Sequence, residues 1–252
     1  MGFILIGGCP RSGTGALANL LTLDGQCFVS LEFSTFSLWN SRGFGPRIRT
    51  SDTRNRHTRN MVVRSGLLTS DDFNRLQQQC STGEEFYKGF IKACRQKIEY
   101  FGDKQPDCYL HRMDSFLKQF PKSKGIITIR HPVDVICSYI KRSNINFNPD
   151  KAGEKISKAL SVWNRSAHGF IRLLNNKNIL KIKYEDAVGD VSGTLNLLTK
   201  FLRLKRGIEN RDNYYKPVHL KDRTINGTDI EGLSYPKFDK KTMERMKVLG
   251  YK

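Results

Sequence analysis

Residues 8–15 read GCPRSGTG, and Gly8 and Gly13 have the G-x-x-x-x-G spacing of a phosphate-gripping loop. Such a loop, set between a strand and a helix, points backbone N–H groups into one small space. The helix dipole adds positive potential there, so an anion belongs in it. Gly13 lets the backbone approach a ligand, Ser12 and Thr14 add hydroxyl donors, and Arg11 adds a guanidinium. Thr14, however, stands where nucleotide hydrolases carry a lysine, and Gly15 where they carry a magnesium-binding hydroxyl. The apolar run GIITIRHP (125–132) likewise arrives at Arg130, where a hydrolase strand would end in a metal-binding aspartate. Two strand ends bearing arginine and no metal carboxylate imply two anion sites that work without magnesium.

Elements of alternating type must position these residues. FILIG (3–7) is a buried parallel strand, and GTGALANLLTL (13–23) has the apolar spacing of a helix. CFVS (27–30) is a short strand leading to Glu32, and EEFYKGFIKACRQKIEYF (84–101) is an amphipathic helix. GDKQP (102–106) is a strand end or loop, followed by a helix over 108–120 that Pro121 breaks. The strand 125–132 is followed by a helix, then by a long helix over 151–175 and a last strand, ILKIKYE (179–185). A helix over 191–202 precedes a loop-rich tail and a charged helix near 239–248. Strands alternating with helices predict an α/β, P-loop-like three-layer fold, with a central parallel sheet covered by helices. Between Arg42 and Arg64 there are seven arginines, no lysine and one acid, Asp52. That composition predicts an irregular surface loop or insertion over 42–65, either a solvated basic loop or an arm facing the substrate.

The composition sets outer limits. At 252 residues the chain can bury one substantial core, and a single domain is expected over 1–252. No segment approaches the roughly 20 apolar residues that cross a bilayer, and FILI is too short for a signal peptide, so a soluble cytoplasmic protein is expected. Six scattered cysteines show no zinc spacing and are expected as apolar filler, Cys9 in the loop included. A formal net charge of +19 favours polyanionic partners without choosing among them; nucleic acid has charge alone in its favour.

Taken together, these motifs resemble the sulfotransferases that use 3′-phosphoadenosine 5′-phosphosulfate, in particular the tyrosylprotein and bacterial branches. PRSGT (10–14) looks like their 5′-phosphosulfate loop, which makes Pro10, Arg11, Ser12, Gly13, Thr14 and Gly15 the implied cradle. IRHPVDVICSYIKR (129–142) looks like their 3′-phosphate motif: Arg130 and Ser138 match its two ligands, and Arg142 follows one helical turn later. His131 departs from the usual aspartate and is read as tolerated variation. GDKQP resembles a family segment that supplies Lys104, and YED (184–186) one in which Tyr184 contacts the nucleotide. KPVHL (216–220), with Lys216 at the cofactor, and the terminal LGY (249–251) resemble the tyrosylprotein tail. The resemblance thus implies that 205–252 forms a loop and helix over the cofactor site.

Sulfuryl transfer is an in-line displacement that needs a base, cations over the sulfonate and bridging oxygen, and a tightly held leaving nucleotide. The resemblance implies Arg11 and Lys104 as the cations and Glu32, just after the second strand, as the base. A carboxylate among cations is a weak base, so its contribution is mainly orientation and hydrogen bonding. His57 and His111 are fallback bases; Trp39 and Trp163 are expected in the core. The implied acceptor is a hydroxyl on a peptide tyrosine, in an acidic peptide, or on a carbohydrate, including an anionic glycan. The implied products are the sulfated acceptor and adenosine 3′,5′-bisphosphate, with no metal involved. A small-metabolite P-loop kinase and a non-enzymatic polyanion- or nucleic-acid-binding protein are the competing readings. Thr14 and Arg130 oppose the first, and the ordered motifs oppose the second.

Overall fold

The computed structural model describes residues 1–50, 52–142, 149–209, 224–225, 228–229 and 238–251. In chain order the elements are β1 (Gly2–Gly8), α1 (Thr14–Leu23), β2 (Cys27–Leu31), α2 (Phe44–Thr50), α3 (Asp52–Arg64), α4 (Ser70–Gln79), α5 (Gly83–Ala93) and β3 (Tyr100–Lys104). They continue with α6 (Pro106–Gln119), β4 (Ser123–Ile129), α7 (Pro132–Arg142), α8 (Pro149–Arg172), β5 (Ile179–Lys183), α9 (Tyr184–Gly189) and α10 (Val191–Leu202). A two-residue ribbon, β6 (Thr224–Ile225) with β7 (Thr228–Asp229), and α11 (Lys240–Val248) complete the set.

Strands β1 to β5 pair in parallel in the order β2-β3-β1-β4-β5, with β1 at the centre. A strand between two helical layers must be apolar on both faces, and β1 divides its side chains accordingly. Leu5 joins Phe28, Phe101, Tyr109, Met113 and Trp163 on the α6 and α8 side. Ile4 and Ile6 join Leu17, Leu20, Leu21, Leu198 and Leu202 on the α1 and α10 side. This is the three-layer α/β fold expected from the alternation of elements. Trp163 is fully buried, as expected, and Trp39 packs parallel to Phe36 with ring centroids 5.7 Å apart.

Three expectations change. The run 84–101 is not one helix: α5 ends at Ala93, where Cys94 is extended, and Tyr100 and Phe101 belong to β3. Pairing on both sides, with β1 and β2, satisfies that backbone better than a prolonged helix could. Tyr184 and Glu185 open α9 and do not extend the last long strand. The arginine-rich stretch is not irregular, since it folds as α2 and α3. Asn55, Thr58 and Val62 supply the inward face of α3, and Phe44 and Ile48 that of α2. Helix α4 follows, capped by Thr69, whose side chain accepts the Asp72 N–H. All six cysteines are free thiols. Among the described residues no helix is long and apolar enough to cross a membrane.

Candidate active site

The carboxyl ends of β1, β2, β3 and β4 open into one cavity of about 680 Å³. Ligands of open parallel sheets bind at this edge, where the order of strands reverses beside β1. The loop leaving β1 is fixed by its backbone: the Cys9 N–H donates to the Thr128 carbonyl at 2.8 Å and the Ser12 N–H to the Cys9 carbonyl at 3.2 Å. Gly8, at φ 135°, has no room for a Cβ against the Thr128 backbone. Gly13, at φ 80°, caps α1 without a side-chain hydrogen bond, and the first turn of α1 carries no acid. The leading N–H groups of α1 therefore present positive potential to the cavity. Pro10, Arg11, Gly13, Thr14 and Gly15 line it, and a Cβ on Gly15 would meet nothing within 4 Å. Ser12 lies beneath them, 1 % exposed, its hydroxyl without an oxygen or nitrogen partner among the described residues. Burial pushes the Cys9 thiol up to about 12, so it remains protonated and serves packing.

Across the cavity, Arg130 follows β4. Its guanidinium lies over the Tyr184 ring at 4.3 Å, and Nη1 reaches the Arg11 carbonyl at 3.5 Å. Its Nε is buried with no hydrogen-bond partner among the described residues. Burial raises the Tyr184 phenol and the Arg130 charge pulls it back. Ser138, on α7, accepts the Arg11 Nε–H at 2.9 Å, so the loop arginine directly touches a residue expected at the second anion site. The Arg142 side chain and all of Lys216 lie outside the described residues, so the expectations for them stand apart from this geometry.

The third corner comes from β2 and β3. Parallel register sets Leu31 opposite Lys104, so Glu32 emerges beside the lysine. Lys104, only 7 % exposed, donates to Glu32 Oε1 at 2.7 Å. The Glu32 N–H donates to the Lys104 carbonyl at 2.7 Å, and Arg47 of α2 donates to the Glu32 carbonyl at 3.2 Å. Glu32 has φ 60° and Ser34 φ 62°, left-handed values that require outside support. Asp103 gives that support from full burial. Its carboxylate accepts the Ser30 hydroxyl at 2.8 Å, the Phe33 N–H at 3.2 Å, the Thr35 N–H at 3.0 Å and the Tyr109 hydroxyl at 2.5 Å. Burial pushes the Asp103 carboxyl up, and those four donors pull it back.

Of the fallback bases, His57 lines the cavity from α3, and His111 does not. His57 Nε2 lies 2.9 Å from the Asn19 amide nitrogen of α1. Burial, and secondarily the Lys104 charge, lower its pKa, which favours the neutral ring. His111 lies on α6, 3.3 Å from Asp107 and close to Gly169 of α8. His131 is absent from the cavity lining and uses its N–H to bind Glu185 at 2.7 Å. The arginine-rich segment thus forms a wall of the site, through Thr53 and His57. Sequence reasoning passed over Asn19, Thr53 and Asp103. Asn19 was findable, because it is four residues beyond Gly15 on one face of α1.

The model of a group described as the sulfotransferase family matches residues 4–207. Protein-tyrosine sulfotransferase A of Caenorhabditis elegans is 25% identical over 210 residues, 79% of this chain and 49% of the relative, so the chain spans about half the length of that protein. Among solved structures, the sulfotransferase domain of the Synechococcus PCC 7002 olefin synthase superposes with a TM-score of 0.63 at 19% identity, covering 100% of this chain and 95% of that one. The sulfotransferase domain of the curacin biosynthetic pathway gives 0.57 at 17%, covering 100% and 98%. At such identities these structural likenesses speak for the fold.

Proposed function

The chain belongs to the sulfotransferase family, and from that premise we propose that it moves a sulfuryl group from 3′-phosphoadenosine 5′-phosphosulfate to a hydroxyl acceptor by metal-independent in-line displacement. One observation carries the reading: Arg11, Arg130 and Ser138 line one cavity with the Glu32–Lys104 ion pair. The residues fit the donor. The loop N–H groups and Arg11 would hold its 5′-phosphosulfate, while Arg130 and Ser138 would hold its 3′-phosphate, with Arg142 and Lys216 proposed to join them. The Tyr184 ring would keep Arg130 aimed.

The donor supplies the sulfuryl group and leaves as adenosine 3′,5′-bisphosphate. Glu32 would accept the acceptor's hydroxyl proton as the new oxygen–sulfur bond forms and the bond to the 5′-phosphate oxygen breaks. An ammonium has three donors, so Lys104 can hold Glu32 with one and meet the charge on the leaving oxygen with another. The proposed acceptor is a peptide tyrosine or a carbohydrate, and the tyrosine assignment draws on the name of the curated relative. The chain's charge of +19 suits acidic peptides or anionic glycans.

Arg130→Ala should weaken binding of adenosine 3′,5′-bisphosphate by about 1.5–3 kcal/mol, the usual worth of a hydrogen bond to a charged group. Calorimetry with adenosine 5′-phosphate should show almost no change, and equal losses for both would remove the 3′-phosphate from Arg130. Ser138→Ala should weaken bisphosphate binding within the same range, but it also releases Arg11, so Arg130→Ala is the cleaner probe. A second expectation concerns metal. Transfer of labelled sulfate should proceed at an undiminished rate in EDTA, and an absolute need for magnesium would favour phosphoryl transfer instead.

A further inference from the structure

Glu185 neighbours Tyr184 but does not line the cavity, and its two carboxylate oxygens are shared between distant parts of the chain. Oε1 accepts the His131 N–H at 2.7 Å, and Oε2 accepts the Tyr251 hydroxyl at 3.1 Å. The carbonyl of the same peptide unit, that of Arg130, accepts the Trp163 indole N–H at 2.8 Å. The peptide that follows the phosphate-site arginine is therefore clamped at both ends. Tyr251 arrives by a specific helix ending. Gly250, at φ 69°, turns the chain, its N–H donates to the Lys247 carbonyl at 3.0 Å, and the Tyr251 N–H donates to the Met246 carbonyl at 2.9 Å. That pair of bonds is a Schellman motif, and buried Met246 and Leu249 anchor it. The His131 ring stands edge-on to Tyr251 with centroids 5.3 Å apart, and the Lys183 ammonium lies 5.1 Å above the phenol ring.

We propose that Tyr251 and Glu185 are positioning residues for the nucleotide's 3′-phosphate, a role that rests on the assignment of that phosphate to Arg130. Two effects combine. The Glu185 clamp fixes the peptide from which the Arg130 side chain departs, so the guanidinium needs no reordering when it meets a phosphate. The Tyr251 hydroxyl also holds the Glu185 carboxylate in the orientation that reaches the His131 N–H, so the clamp keeps its geometry. Burial, with the Glu185 charge next, pushes the phenol of Tyr251 far up, so its proton stays in place to be donated. Both effects act on a 3′-phosphate and spare a nucleotide that lacks one.

The test is calorimetric titration of the whole chain with adenosine 3′,5′-bisphosphate and with adenosine 5′-phosphate, for wild type and Tyr251→Phe. Wild type should prefer the bisphosphate. Tyr251→Phe should lose roughly three- to tenfold in bisphosphate affinity, less than a whole charged hydrogen bond, with the monophosphate unchanged. Glu185→Ala should repeat that selective loss. Glu185→Gln should restore the preference, because its amide oxygen still accepts the His131 N–H and its NH₂ group can donate to the Tyr251 oxygen. The Glu185 pair decides the question if Tyr251→Phe folds poorly. A merely structural contact would lower thermal stability and weaken both nucleotides alike; that result, or an unchanged ratio in Tyr251→Phe and Glu185→Ala, overturns the proposal. A wild type that binds both nucleotides equally removes the 3′-phosphate from Arg130 itself, and the proposal goes with it.

Discussion

Glu32→Gln should slow the sulfuryl-transfer step by a factor on the order of 10² to 10⁴ while leaving donor affinity nearly unchanged. The substitution keeps the volume of the side chain, and its amide oxygen can still accept from Lys104, now 2.7 Å from Oε1. What it removes is the ability to take a proton. The backbone at Glu32 is held separately, by the Lys104 carbonyl and by the Arg47 guanidinium, so the left-handed turn should survive. Some loss of thermal stability is expected as well, because Lys104 loses its anionic partner while only 7 % exposed. Single-turnover sulfation normalised to folded protein, measured beside donor binding, separates the two effects. Near-normal rates in Glu32→Gln, together with a collapse in His57→Ala, would transfer the proton to His57. That histidine shares the cavity, and burial and Lys104 keep it inclined to neutrality. His111, which does not line the cavity, offers no such alternative.

Asp103→Ala should have the largest effect on stability, a loss of about 3–5 kcal/mol. The side chain is fully buried and satisfies four donors at once: two backbone N–H groups and the hydroxyls of Ser30 and Tyr109. Removing it strands three of them in a dry interior, since only the Ser30 hydroxyl has another acceptor, the Gly102 carbonyl at 3.3 Å, and each unpaired donor costs about 1–3 kcal/mol before relaxation. Asp103→Asn should be milder, since one amide oxygen can serve part of that set while the NH₂ group meets donors it cannot satisfy. Urea unfolding should show the order wild type, Asn, Ala. Activity per folded molecule should fall too, because the 32–35 turn that aims Glu32 would lose its anchor. An Asp103→Ala protein as stable as wild type would mean that the turn does not depend on this carboxylate.

The residues proposed for the two anion sites are legible in the sequence because their signals are local. Arg11, Gly13, Arg130 and Ser138 each sit within a few residues of a buried strand's end, and the strands announce themselves as apolar runs. Lys104 could be singled out from GDKQP, but its neighbour Asp103 could not, because the carboxylate acts on a turn some 70 residues away in sequence. Helix α3 was missed for a different reason. Its inward face is built from Asn55 and Thr58 as much as from Val62, so hydrophobic periodicity carries too little signal there. With α3 unseen, the placement of His57 in the cavity was unreadable too. The helix expected through 101 failed because Ile98 and Phe101 suit helical spacing, while tertiary pairing claims Tyr100 and Phe101 for the sheet.

The central place of β1 also governs the order in which the fold can be assembled during synthesis. The strand leads the described chain, yet its two neighbours are residues 100–104 and 123–129. While the ribosome is still making those segments, Ile4, Leu5 and Ile6 lack their sheet partners. A chain made only as far as β3 therefore still has β1 open along the edge that β4 will cover, a hazard of sequence-distant parallel pairing. Strand β1 is paired on both edges only once β4 has emerged opposite β3, and β5 then adds the outer edge.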